Sequence, residues 1–164
     1  MIVRRAGSND SNSLSTFFIE VWKEAGPGAL GFTGATEESI TKISSEAFLK
    51  KVLTDSATPI IIAENAGKVI GFSSLRMIDR NRAELSGIVV RENFTGKGIG
   101  SHLFEKAKEV AIDAGCEKIV VKTESVNNRA ISFYKKLGFW EIGIVDEVVE
   151  GSRVKLMVLE RVIP

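Results

Sequence analysis

Three glycines within five residues, Gly96, Gly98 and Gly100, stand between an apolar strand pattern and a helical stripe. Upstream, Ala83 to Val90 reads as a strand rich in Val and Ile at its end. Downstream, Ile99, Leu103, Ala107, Val110 and Ala114 recur at helical spacing, and Gly115 marks the stop. A strand, a glycine loop and a helix N-terminus in that order commit the middle of the chain to an α/β arrangement. Glycines let a backbone turn tightly and approach a ligand closely. The first helical turn adds unpaired N–H groups and the positive end of the helix dipole. Together these features can hold a phosphate. The plainer alternative is a strand-to-helix turn that uses glycine only for its shape.

Two familiar phosphate loops fit poorly. A P-loop needs Gly-Lys followed directly by Ser or Thr, whereas Lys97 is followed by Gly98. The dinucleotide fingerprint needs two residues between its second and third glycines, and here only Ile99 separates Gly98 from Gly100. NAD is therefore disfavoured.

The rest of the chain supplies an α/β pattern around this segment. Ile2 to Arg5 reads as a first strand. Leu14, Phe17, Phe18, Val21 and Trp22 form a helical stripe that ends at Gly26-Pro27-Gly28. Thr36, followed by Glu38 and Ser39, starts a second helix running to about Leu53. Pro59 to Asn65 and Lys68 to Ile78 read as two strands joined by a hairpin at Asn65-Ala66-Gly67-Lys68. Lys118 to Thr123 is a strand, Asn127 to Leu137 a helix closed by Gly138, and two long strands flank Glu150-Gly151-Ser152. No internal repeat or linker appears, so one domain over residues 1–164 is expected.

Composition narrows the function classes. Hydrophobic residues make up 44% of 164, enough for a core. Lys and Arg number 22 against 21 Asp and Glu. Nothing indicates a field that would gather nucleic acid or a membrane. No apolar stretch approaches the roughly 20 residues of a membrane span, and the first residues lack a secretory h-region. The single cysteine, Cys116, precludes an intramolecular disulfide. A cytoplasmic protein is the expectation.

A second block lies about thirty residues after the glycine loop: Asn127-Asn128-Arg129-Ala130-Ile131-Ser132-Phe133-Tyr134-Lys135-Lys136-Leu137-Gly138-Phe139. It resembles the Asn-x-x-Ala-x-x-Phe-Tyr-x-x-x-Gly-Phe block of the GNAT (GCN5-related N-acetyltransferase) superfamily. That family's loop has Arg or Gln, two residues, Gly, one residue, then Gly or Ala. Gly98 and Gly100 match, and Thr95 departs from Arg or Gln. Both blocks in order, with a helix and a strand between, carry the resemblance over about residues 60 to 142.

The resemblance implies a mixed, mostly antiparallel sheet, splayed open at the cofactor and flanked by about four helices. It implies direct transfer of an acetyl group from acetyl-CoA to a primary amine, with no metal. Backbone groups of Ile88, Val89 and Val90 would pair with the pantetheine arm. Amides of Gly96, Lys97, Gly98, Ile99, Gly100 and Ser101, beside Thr95, would hold the diphosphate. Lys97 is the candidate to replace the missing Arg or Gln; the alternative is a solvated loop lysine. Asn127 would bond the pantetheine or cap its helix, and Ala130 lies in the same cofactor block. Tyr134 would protonate the departing thiolate; otherwise it is helix core beside Phe133.

Glu84 is the candidate base. Strand alternation places it on one face with Ser86, Ile88 and Val90; the alternative is an ion pair with Arg82 or another strand's base. Glu124 and Glu147, near strand ends, are weaker base candidates. His102 reads as a solvated histidine, and Cys116 as a buried, inert thiol. Phe32, in a glycine-rich loop, is the candidate acceptor wall, while Trp22 reads as helix core. The acceptor is a small-molecule or peptide amine. A homodimer through Val154, Leu156, Val158 and Val162 is possible, as is core packing of the same residues. The rival reading is a non-catalytic acyl-CoA sensor on the same fold.

Overall fold

The computed structural model describes residues 1–26 and 36–164. Its strands are β1 (Ile2–Arg5), β2 (Ile60–Asn65), β3 (Lys68–Met77), β4 (Arg82–Val90), β5 (Lys118–Glu124), β6 (Trp140–Val149) and β7 (Ser152–Val162). Its helices are α1 (Ser11–Ala25), α2 (Glu37–Ile43), α3 (Glu46–Leu53), α4 (Ile99–Asp113) and α5 (Asn128–Lys136). The seven strands form one sheet in the order β1-β2-β3-β4-β5-β7-β6. Every neighbouring pair is antiparallel except β4 and β5.

One apolar cluster lies between the sheet and α4 and α5, built on Leu103, Phe104, Ala107, Tyr134 and Phe139. The other joins the opposite face to α1, α2 and α3 through Phe17, Phe18, Ile40, Leu49 and Phe72. Phe18 meets Phe72 edge-on at 4.9 Å, a geometry that adds about 0.5–1.5 kcal/mol to simple burial. On α4 the buried stripe is Ile99, Leu103, Phe104, Ala107 and Ala111. Ala114 is exposed instead of continuing it.

Two sequence expectations change. The helix expected from Thr36 to Leu53 is broken, so five helices are described where about four were expected. The Ser44 hydroxyl donates back to the Ile40 carbonyl at 2.6 Å. Ser45 turns extended, with φ −65° and ψ 138°. Its side chain then accepts the Phe48 N–H at 3.3 Å and caps α3.

The second change concerns β4. Leu85 pairs with Leu75 and Gly87 with Ser74, so Ser86 is an extra residue in the ladder. A one-residue bulge reverses the alternation. Ala83 and Leu85 before it, and Ile88 and Val90 after it, all face α4 and α5, while Val89 faces α1. Glu84 therefore lies on the opposite face from Ile88 and Val90, contrary to simple alternation.

Ser73 is fully buried on the α4 side, between Ile61 of β2 and Ile88 of β4. Its hydroxyl has no hydrogen-bond partner among the described residues. Such an orphan costs about 1–3 kcal/mol. Ser73→Ala should raise stability by about 1–2 kcal/mol, or roughly 3–6 °C in Tm for a chain of this size. A thermal melt in which Ser73→Ala lowers Tm would contradict this account.

Towards the C-terminus, Leu156 is buried, Val154 and Val158 are half-buried, and Val162 is exposed. On the edge strand β6, Trp140, Ile142, Ile144 and Val148 are exposed.

Candidate active site

The parallel pair β4 and β5 stays in register only from Arg82 opposite Lys118 to Leu85 opposite Val121. Beyond that point β4 runs on to Val90 and β5 to Glu124, with no pairing between them. The sheet opens there into a wedge. Along it, β4 keeps its ladder to β3 on one side and has no strand partner on the other. Backbone N–H and C=O groups in this condition can receive an extended ligand as an added strand.

The glycine loop lies at the end of β4. Arg91 opens a 3-10 turn, Glu92–Phe94. Thr95 closes it by donating its hydroxyl to the Glu92 carbonyl at 2.8 Å, so this side chain is occupied within the turn. Lys97 holds its ammonium 5.2 Å from the Phe94 ring centroid, which keeps a cation beside the loop. Gly98 is the N-cap of α4 in the left-handed region, φ 78°, a conformation costly for any residue with a β-carbon. Its carbonyl accepts from His102, through the backbone N–H at 3.1 Å and the ring at 2.8 Å. The Nδ1 therefore carries the proton, and His102 serves the loop's shape.

Gly100 has another reason to be glycine. A β-carbon there would meet Phe133 Cζ at 3.1 Å and Ile88 Cγ2 at 3.6 Å. The third glycine of the pattern thus lets the first turn of α4 touch both α5 and the wall of the wedge. Ile99 is buried in the core. The first-turn amides of Ile99, Gly100 and Ser101 remain at the helix N-terminus, where an anion is favoured.

In the second block, Asn127 caps α5 by accepting the Ala130 N–H at 3.1 Å. That occupies the Asn127 carbonyl oxygen and the Ala130 amide in the helix start; the Asn127 NH₂ group is not part of the cap. Tyr134 is buried, with its ring edge-on to Phe133 at 5.4 Å and Phe139 at 5.6 Å. Burial pushes its phenol up to about 12. The hydroxyl therefore stays protonated throughout the neutral range and keeps a proton to donate there.

Glu84 is half-buried and bonds Arg76 of β3 at 3.1 Å. This is the strand-to-strand ion pair that was the alternative to a catalytic role. Cross-strand register puts Val120 and then Glu160 beside it, away from α4 and α5. Glu147 is paired with Lys122, the first β5 residue inside the wedge. Glu124 ends β5. Cys116 is buried against Met77, and burial, followed by the charge of Asp79, pushes its thiol up. Phe32 lies outside the described residues, and Trp22 is half-buried on α1.

The residue missed by sequence reasoning is Arg91. Its partners, Glu20 and Glu24, lie 71 and 67 positions away, so no local pattern reports it.

A model of the Acetyltransferase (GNAT) family matches residues 18–139. A Bacillus subtilis (strain 168) protein, named uncharacterized N-acetyltransferase YhfO, is 30% identical over 146 residues, 86% of this chain and 91% of that protein. PaiA N-acetyltransferase from Thermoplasma acidophilum, solved in complex with coenzyme A, aligns with a TM-score of 0.71 at 23% identity over 98% of each chain. The structure of yncA from Salmonella typhimurium, solved with its cofactor acetyl-CoA, aligns with a TM-score of 0.73 at 22% identity over 100% of this chain and 94% of that one. These two likenesses concern the fold. With the family model covering most of the chain, the splayed seven-stranded sheet and its glycine loop belong to a member of the GNAT acetyltransferase family.

Proposed function

We propose that the chain is an acetyl-CoA-dependent N-acetyltransferase acting by direct transfer to a primary amine. The observation that carries this reading is the wedge, which opens after Leu85 and Val121 and is walled by the first turn of α4. Its residues suit the donor. Backbone groups of Ile88 to Val90 would receive the pantetheine arm, and the Asn127 NH₂ group would bond it. The amides from Gly96 to Ser101, with Lys97 alongside, would hold the diphosphate. Acetyl-CoA, when bound, supplies an acetyl group activated as a thioester.

The chain's own residues would then handle the protons. Glu84 takes a proton from the acceptor nitrogen, directly or through a water. Tyr134 holds a proton at Oη for the departing sulfur. The two lie on opposite faces of the sheet, which suits a nucleophile entering the wedge from one side and a leaving group on the other. The acceptor would then approach from the Glu84 face, where Val120 and Glu160 stand beside Glu84 across the strands.

Purified protein given acetyl-CoA and a panel of amines should release free thiol only when a suitable acceptor is present. Binding without turnover across protein N-termini, lysine, polyamines, amino acids and aminoglycosides would make it an acyl-CoA sensor instead.

The loop assignment has its own test. Gly98→Val forces a β-branched residue into the left-handed region at the diphosphate cradle. Acetyl-CoA affinity should fall at least tenfold, about 1.4 kcal/mol, with the fold intact. An unchanged Kd by calorimetry would remove the cradle from this loop.

A further inference from the structure

Arg91 ties the end of β4 to α1 by charge as well as by packing. Its backbone belongs to the loop. The Arg91 N–H donates to the Ile70 carbonyl at 2.9 Å, ending β4, and its carbonyl accepts from the Phe94 N–H at 2.9 Å, opening the turn into the glycines. Its side chain crosses to α1. Nε donates to the Val69 carbonyl at 3.1 Å, Nη2 pairs with Glu20, and Nη1 lies 3.4 Å from Glu24. The guanidinium also sits 5.3 Å from the Phe17 ring centroid. Only 16% of this side chain is exposed.

Glu20 and Glu24 are one helical turn apart, where like charges repel. A single guanidinium between them removes that repulsion. Lysine could not reproduce the arrangement, because its point charge has no planar fork to bond a carbonyl and two carboxylates together. Packing alone already fixes α1, since Leu14, Phe17, Phe18 and Val21 are buried in the sheet. The ionic tie adds something packing does not: it links the last turns of α1 to the first residue of the glycine loop.

We infer that Arg91 is a positioning residue that couples the C-terminal end of α1 to the diphosphate cradle, so that the shape of the cradle depends on the ionic tie to α1. This inference rests on the reading of residues 95–101 as that cradle. Donor affinity therefore depends on Glu20 and Glu24, although both belong to α1 and neither belongs to the loop. The glutamates are about half exposed, so the dependence is modest.

The test is a mutant cycle read by calorimetric CoA binding. Glu20→Gln with Glu24→Gln should raise the CoA Kd about three- to fivefold. Arg91→Gln should raise it at least as much, and the triple variant should match Arg91→Gln alone. Arg91→Lys should recover less than half of the loss. A tie that serves only stability would lower Tm in these variants and leave the Kd of folded protein within twofold, which overturns the inference. Effects that multiply in the triple variant overturn it as well. The glutamate pair sits on an exposed helix surface, so its arm stands even if Arg91 variants fold poorly. Wild-type protein that does not bind CoA would instead overturn the cradle itself.

Discussion

Tyr134→Phe should lower turnover by about 10² to 10⁴, the usual contribution of a positioned general acid, and leave acetyl-CoA affinity within about twofold. The substitution is nearly silent for packing. The ring keeps its edge-on contacts with Phe133 and Phe139, and the hydroxyl gives up no bond to a described side chain. On the proposed reading, what is lost is the proton held at Oη for the departing sulfur. Because burial pushes the phenol up to about 12, the wild-type donor stays loaded at every working pH. The same shift has a stability signature. An unfolded tyrosine ionises near 10 and the folded one near 12. Stability from this group is thus whole below about pH 10 and lost as pH rises towards 12. The Phe variant should lack that alkaline loss. Near-normal turnover, with chemistry shown to be rate-limiting, would mean that another group protonates the sulfur.

Glu84→Gln should lower the rate by about 10² near neutral pH, and the deficit should shrink as pH rises. Without a base, the reaction depends on the fraction of acceptor already neutral, and alkali increases that fraction. Glutamine keeps an oxygen for Arg76, so the strand-to-strand contact at this position survives and the fold should too. A pH–rate profile parallel to that of the wild type would reassign Glu84 to the ion pair alone.

Local chemistry made much of this fold legible. The β2–β3 hairpin was readable because Asn65-Ala66-Gly67-Lys68 is turn chemistry, and Ala66 and Gly67 do take positive φ. The start of α5 was readable because an asparagine before a helical stripe is a cap, and Asn127 is one. The glycine loop and the Asn-to-Phe block pointed to the family before any geometry was known. The break between α2 and α3 was hidden, because Ile40, Leu49 and Leu53 stay buried on both sides of it and mask the two serines that interrupt the helix. The parity change in β4 left one trace, a glycine at position 87 inside an apolar strand, which is a signal for a bulge. Arg91 was illegible for a different reason. Its role depends on glutamates placed beside it only by the docking of α1 on the sheet.

The extra residue at Ser86 works like a shift of reading frame. Ahead of it, even-numbered positions of β4 look out on one side of the sheet; behind it, they look out on the other. One continuous strand can thus carry two independent vocabularies. Changes at position 84 rewrite only the side from which an amine would arrive. Changes at 88 and 90 rewrite only the side that meets α4 and α5. On the proposed reading, a lineage of such chains could exchange one kind of acceptor for another by editing letters on one side of the shift, while the packing against α4 and α5 on the other side stays the same.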